Sequence, residues 1–354
     1  MGATLKQIAE IAQVSRGTVD RVIHGRYGVD PQTRARVLQI IKELDYNPNV
    51  MAKALRGMQT PFRIGAIVPN RNNPFFIEVN EGIDQASRAM TGYGMEVVKL
   101  EMEESTVQEQ VRCIDALENM GVCGIMMVPV EHDDVRERIN RLSASIPVIT
   151  FNSDISGTKR MCFVGNDHTQ AGRVAGHLMS TVVTKPGKVA LLIGQKDIRA
   201  HVERIHGFQE YLAEDGRGDI EFIGPYMTYE REEPAYALVQ NLLETEENLQ
   251  GIYVAGGGQQ SAARALANSS RAGSVHMICH DTLPETVEYV RKKVVDFTLG
   301  QEAFEQGYIP VALFRDYHMF NRKPKTKKIY TRIDIRSREN IDLKGYEYYA
   351  GRER

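Results

Sequence analysis

The sequence has no apolar run long enough to cross a bilayer. Its longest near-continuous one, Met120 to Val130, covers eleven residues, where a spanning helix needs about twenty. The opening stretch MGATLKQIAEIAQ puts charged and polar groups where a signal peptide carries its apolar segment. Both absences predict a cytoplasmic protein with no membrane partner. Cysteine is scarce: Cys113, Cys123, Cys162 and Cys279 are far apart and form no C-x-x-C pair, which excludes a disulfide framework and a structural zinc site. Catalytic signatures are missing too. The run Gly256–Gly258 lies in no phosphate-loop or dinucleotide pattern and reads as a tight turn or a close backbone approach. His201 and His206 are five apart, so a helix does not bring them to one face as a zinc-binding H-E-x-x-H motif would. No G-x-S-x-G elbow and no activated cysteine is present. No metal, no cofactor and no enzymatic activity are expected.

What is present is an ordinary globular composition, 42% hydrophobic and 25% charged over 354 residues, enough for two or three domains. Charge is unevenly spread. Residues 1–60 hold nine Lys and Arg against five acids, a net of +4, while the rest of the chain is net −6. A basic head on an acidic body points to a polyanion partner for the head alone.

The head reads as three short helices. Thr4 with Gln7 forms a capping-box pattern, followed by Leu5, Ile8, Ala9 and Ala12 at helical spacing. Ser15 can cap a second helix that buries Val19, Val22 and Ile23. Asp30-Pro31 is a third start, an N-cap carboxylate followed by a proline at N1. That helix is expected to bury Val37, Leu38, Ile41 and Leu44. Two helices joined by a very short turn, with a third behind them, describe a helix-turn-helix unit. In such a unit the early residues of the second helix face base edges in the major groove, here Arg16 and Gly17, then Arg21. Both arginines can make the forked hydrogen bonds that guanine accepts. Thr18, Thr33 and Arg34 are better placed for phosphates. A three-helix bundle that only packs or binds protein is the plainer alternative.

The head resembles the lac repressor (LacI/GalR) family. The likeness is carried by TLKQIAEIAQVSRGTVDRVI from Thr4, VDPQTRARV from Val29 and LDYNPN from Leu44. It adds Thr4 and Ser15 to the expected DNA contacts. Asp20 departs from the serine common in the family, and Gly17 offers no side chain for a base. The segment NVMAKALRG, Asn49 to Gly57, resembles the family's hinge helix, which is too short to persist alone and orders when two copies pair on DNA. Asn49 and Lys53 would contact DNA there. Leu55 stands at the family's leucine wedge, which opens a base step from the minor groove. A flexible linker with an incidental leucine is the alternative.

From Phe62 onward short apolar runs alternate with amphipathic stretches, which implies parallel sheets covered on both faces and, over this length, two lobes. Strands are expected at Ile64–Val68, Met95–Leu100, Gly124–Val128, Val148–Phe151, Val189–Ile193, Ile252–Val254 and Val275–Cys279. Helices are expected near 76–91, 106–120, 134–143, 168–183, 203–214, 232–245, 260–272 and 284–292. This body also resembles the family's effector-binding core, akin to periplasmic ribose-binding proteins. The matching segments are NPFF (Asn73–Phe76), PVITFN (Pro147–Asn152), VGNDH (Val164–His168), VERIHGF (Val202–Phe208), His280-Asp281 and TLGQ (Thr298–Gln301). They imply a pocket of Asn73, Phe75, Phe76, Asn152, Asn166, Arg204, Asp281 and Gln301, at strand ends where open α/β sheets bind ligands. Aromatic faces would cover sugar C–H groups while the polar side chains meet hydroxyls. Arg199, His201, Arg204 and His206 would add positive character at the mouth, which permits a sugar acid or sugar phosphate beside a plain sugar. A salt bridge between Arg204 and Asp281 with no ligand is the structural alternative.

The expected fold is therefore an N-terminal all-α helix-turn-helix head plus hinge helix, on an α/β core of two doubly wound parallel-sheet lobes like the type I periplasmic binding proteins. The expected divisions are 1–47 for the DNA-binding domain, 48–61 for hinge helix and linker, and 62–354 for the effector-binding and dimerisation core. The expected function is a homodimeric, sequence-specific repressor that binds double-stranded operator DNA and responds to a small sugar-like effector. A sugar-binding protein for transport or chemotaxis is the alternative. It would need export and would leave the basic head without a purpose.

Overall fold

The computed structural model describes residues 5–23, 26–44, 61–69, 74–196 and 198–342. In the head, α1 (Leu5–Ile11), α2 (Arg16–Ile23) and α3 (Pro31–Glu43) close on Ile8, Ala9, Ala12, Val19, Val22, Val37 and Ile40. Two of the expected caps form. Ser15 Oγ accepts from the Thr18 N–H at 3.1 Å, and the Asp30 carboxylate accepts from the Thr33 N–H at 2.9 Å with Pro31 behind it. The buried face of α3 differs from expectation: Ile40 is buried and Leu38 is 48% exposed, because the stripe 37, 40, 41, 44 leaves position 38 outside. Thr4, and with it the first capping box, lies outside the described residues. So do Asn49, Lys53 and Leu55 of the expected hinge, and Asn73 of the expected pocket.

The body has two six-stranded sheets. The first contains β1 (Phe62–Pro69), β2 (Met95–Met102), β3 (Gly124–Met127), β4 (Val148–Phe151), β5 (Cys162–Gly165) and β11 (Lys328–Tyr330) in the order β11-β5-β4-β3-β1-β2. The second contains β6 (Gly187–Ile193), β7 (Ile220–Met227), β8 (Leu249–Val254), β9 (His276–His280), β10 (Phe297–Gly300) and β12 (Asp334–Arg336) in the order β12-β10-β9-β8-β6-β7. Every pair is parallel except β10 with β12. The strands are apolar on both faces because each sheet separates two cores. Ile64, Ala66 and Val68 of β1 enter one core and Ile67 the other. In the second lobe Ala190 and Leu192 face one way, and Val189, Leu191 and Ile193 the other.

Helices α4 (Phe75–Met90), α5 (Val107–Asn119) and α6 (Asp133–Leu142) cover the first sheet; α8 (Arg199–Glu214), α9 (Glu232–Thr245), α10 (Gln259–Ala267) and α11 (Pro284–Arg291) cover the second. Two more are exchanged. The chain leaves β5 for α7 (His168–Val182), which packs on α8 of the second lobe, and leaves β10 for α12 (Ala303–Phe320), which packs on α4 of the first. A third crossing joins β11 to β12. Both exchanged helices seat through glycine. A Cβ on Gly307 would fall 2.0 Å from the Val79 carbonyl oxygen, and one on Gly207 2.1 Å from that of Thr169.

Candidate ligand cleft and DNA-binding head

The carboxyl ends of both sets of strands mark the cleft between the lobes, the usual ligand position for open α/β sheets. The two lobes repeat one feature there. Asn152 follows β4 and Asp281 follows β9; both are left-handed, with φ of 61° and 70°. Each donates its N–H to the neighbouring strand at 3.0 Å, Asn152 to Val164 and Asp281 to Leu299. Left-handed backbone is costly for residues other than glycine, and Asn and Asp bear it best. The bend turns both side chains away from the sheets.

Gln301, directly after β10, is the junction of the second lobe. Arg204 donates from Nη1 to the Ala255 carbonyl at 2.8 Å and from Nη2 to Gln301 Oε1 at 2.5 Å. Gln301 Nε2 then donates to Asp281 Oδ1 at 2.5 Å. The Gln301 backbone carbonyl accepts from Gln306 Nε2 and from Thr331 Oγ1, both at 2.9 Å. Gln306, fully buried in α12, accepts from Asn152 Nδ2 at 3.1 Å. The Asn152 carbonyl accepts from His168 Nε2 at 2.9 Å. Asn166 Nδ2 donates to the Arg332 carbonyl at 3.1 Å. The three crossing segments and the ends of β4 and β9 thus form one hydrogen-bonded relay, running from Arg204 in one lobe to Asn152 in the other.

The electrostatics of the cleft are set by burial. It depresses His168 and His201 to about 3, with the Arg204 charge as the second cause for each. His280, hydrogen-bonded to the Tyr253 hydroxyl at 2.9 Å, is also lowered by burial and then by Arg204. These imidazoles are neutral at physiological pH. Burial raises Asp281 while Arg204 opposes the rise. Buried Arg204 is lowered, chiefly by desolvation, yet a guanidinium with this partner keeps its charge.

Several expectations for the site are corrected. Arg204 and Asp281 make no direct salt bridge in hydrogen-bonding range; Gln301 stands between them. Phe75 and Phe76 stack edge to face at 5.2 Å within the first core, and are as buried as Arg204 and Gln301. Asn166 is 1% exposed and belongs to the crossings rather than to an open pocket. Positive character at the mouth is largely cancelled. Arg199 pairs with Glu203 at 2.6 Å and, across the cleft, with Glu131 at 3.8 Å. His201 is buried and neutral rather than exposed, and His206 is exposed and sits 3.4 Å from Glu210. Arg204, Asn152, Gln301 and Asp281 are brought together, as expected. The sequence reading missed His168, Gln306 and Thr331, although His168 ends the VGNDH segment that drew attention to Asn166. Among the described residues no group of metal-ligating side chains large enough to hold an ion is found, and no helix is long and apolar enough to cross a membrane.

In the head, only Ala12 to Ser15 separate α1 from α2. Arg16, Gly17 and Arg21 are exposed on α2, with Ser15 exposed just before it. Thr18 and Thr33 are half-buried at the starts of α2 and α3. Arg21 Nη1 reaches the Gly28 carbonyl at 3.4 Å, and Arg34 Nη2 donates to that of Arg26 at 2.6 Å. Asp20 pairs with Arg26 at 3.3 Å, which lessens the repulsion an unpaired carboxylate would offer a phosphate.

Residues 4–49 match the family model for bacterial regulatory proteins of the lacI family, and residues 64–320 match that of the periplasmic binding protein domain. The chain belongs to the LacI family of DNA-binding transcriptional regulators. Its relatives include catabolite control protein A of Priestia megaterium, 27% identical over 72% of this chain and 74% of that protein. Catabolite control protein A of Streptococcus mutans is 31% identical over 60% of this chain and 61% of its own length. Such relatives are regulators, not enzymes. The body has the fold of an ABC transporter solute-binding protein from Burkholderia graminis, solved in complex with D-arabinose. The TM-score is 0.73 at 23% identity, covering 79% of this chain and 97% of that one.

Proposed function

We propose that this LacI-family regulator acts in the cytoplasm as a homodimeric repressor on a near-palindromic operator, controlled by a small sugar-like effector bound between its lobes. The relay from Arg204 through Gln301 and Gln306 to Asn152 carries this reading, since it joins polar cleft residues of both lobes to the crossings about which the lobes would turn. An effector shifts the lobe arrangement only if it binds one arrangement more tightly. The hinge helix and linker expected over 48–61 would convert that shift into the spacing of two DNA-binding heads. Coupling between effector and operator should be about 1–3 kcal/mol and reciprocal. Calorimetric effector affinity, measured with and without saturating operator, is expected to differ by that amount; equal affinities would refute control through the cleft.

Base reading is assigned to Arg16 and Arg21. Replacing either with alanine is expected to weaken operator binding by about 1–3 kcal/mol while leaving random-sequence binding much less affected. Arg21 should show the smaller effect, because one of its nitrogens already faces the Gly28 carbonyl. Equal losses on operator and random DNA in a gel-shift titration would make these phosphate contacts instead.

A further inference from the structure

The end of β7 holds an acidic group that none of the expected pocket residues includes. Thr228 Oγ1 donates to the Gly257 carbonyl at 2.7 Å and accepts from the Glu230 N–H at 3.3 Å. This fastens the turn over the neighbouring strand ends. Tyr229 and Glu230 are both left-handed, with φ of 55°, an unfavourable backbone for two consecutive side chains that the surroundings must enforce. Glycines leave room for what the turn carries. A Cβ on Gly194 would come within 2.6 Å of Glu230 Cγ, and one on Gly256 within 2.7 Å of His201 Cε1. The missing side chains at Gly256-Gly257 are thus replaced from two other elements. His201 comes from α8, and Glu230 crosses from β7 with Oε1 3.6 Å from His201 Nε2. His201 is 6% exposed, whereas the Glu230 side chain keeps 31% of its surface open.

The balance of charge follows from the contacts. Glu230 and Asp281 lie at the same edge of the second sheet, and burial raises both, Glu230 further through the charge of Asp281. Glu78 on α4 of the facing lobe is raised by burial, then by Glu81 and Asp281. Against these carboxylates stands Arg204, with both terminal nitrogens already committed to Ala255 and Gln301. Arg199 is held by Glu203 and Glu131, and His206 by Glu210. An entering anion would meet the carboxylates of Glu230 and Asp281 at this edge and of Glu78 opposite, a like-charge juxtaposition that disfavours it. A hydroxyl-rich neutral molecule would instead find acceptors on both sides.

We infer that Glu230, propped by His201 over the Gly194 and Gly256-Gly257 floor, is an effector-binding residue that makes the cleft select an uncharged polyol and reject sugar acids and sugar phosphates. This rests on the proposed reading of the cleft as a sugar-effector site. The test is calorimetry on the full-length protein with matched probes: D-glucose, D-glucuronate and D-glucose 6-phosphate; D-galactose and D-galacturonate; D-ribose and D-ribose 5-phosphate; D-arabinose. The wild type should bind at least one neutral sugar, and bind it at least about thirtyfold more tightly than its anionic counterpart. Glu230→Gln should lower the affinity for that neutral sugar about tenfold by removing a charged acceptor, and should narrow the gap to the anion. Unchanged affinities in Glu230→Gln, or an anion bound more tightly than its neutral parent, would overturn the inference and leave the sugar reading standing. Failure of every sugar in the panel to bind would overturn both.

Discussion

Gly207→Ala is expected to destabilise the body by about 3 kcal/mol or more, at the upper end of overpacking substitutions. The new methyl group would sit 2.1 Å from the Thr169 carbonyl oxygen, 2.9 Å from its carbon and 3.2 Å from the Arg173 nitrogen. All three are backbone atoms of α7, so no rotamer change relieves the clash. The helices must separate, yet Gly172 holds them equally close from the other side, 2.0 Å between its built Cβ and the Arg204 carbonyl oxygen. Separation would strip contacts from Ala175, Ile205 and Phe208 in the core beneath. It would also shift Arg204, so effector affinity should fall together with stability. Gly92→Ala serves as control, because nothing lies within 4 Å of where its Cβ would be; its urea-derived stability should match the wild type within a few tenths of a kcal/mol, about 0.5 at most. Coincident midpoints for Gly207→Ala and Gly92→Ala would show that the α7–α8 contact is not tight.

The glycines show why part of this fold could be read and part could not. Apolar runs located β1, β2, β3, β4, β6, β8 and β9, because all but the edge strand β2 are buried on both faces and carry a continuous hydrophobic stretch. β11 and β12 were missed, being only three residues long; β5 and β10 were missed although they are as long as β3 and β4, and so was β7, an edge strand whose Gly224-Pro225 breaks the pattern. Helix α12 was missed for a related reason. It contains Gly307 and Pro310, which read as breakers, although Gly307 is what lets it seat on α4. Of the three crossings, α7 was located while α12 and the β11–β12 segment were not, so the relay could not be foreseen. Gln306 has no motif around it, and its role exists only once α12 returns to the first lobe. Arg204, Asp281, Gln301 and Asn152 were legible through their likeness to a family, and the contact of Gln301 with both Arg204 and Asp281 was not. The head was legible almost in full, since its caps and apolar stripes are local.

Acid should destabilise the body steeply between pH 6.5 and 5, and the buried histidines are the cause. His168 and His201 titrate near 3 in the folded chain and near 6.5 once unfolded. Between those values the unfolded chain binds more protons, so stability is full above about 6.5 and falls as pH drops. His280, lowered in the same direction, adds to the effect. Each neutral histidine contributes about 1.4 kcal/mol per pH unit below its unfolded pKa, or about 2 kcal/mol by pH 5. Asp281, Glu230 and Glu78 work the other way, since carboxyls raised by burial take up protons before the unfolded chain does. Their opposing window lies at and above the ordinary carboxylate range near pH 4, so the histidine term is cleanest between about pH 6.5 and 5.5. His168→Gln isolates one contribution, because an amide can still donate to the Asn152 carbonyl without titrating. Its urea-derived stability should fall by about 2 kcal/mol less than the wild type's between pH 7.5 and 5; an unchanged pH dependence would mean that His168 is not buried neutral. The folded chain keeps His168 neutral through this range, with Nε2–H donating to the Asn152 carbonyl and so coupling Asn152 to the first crossing. The relay therefore holds until the body itself unfolds. Loss of effector binding should coincide with global unfolding as pH falls, and the two titrations run on the same samples would show it.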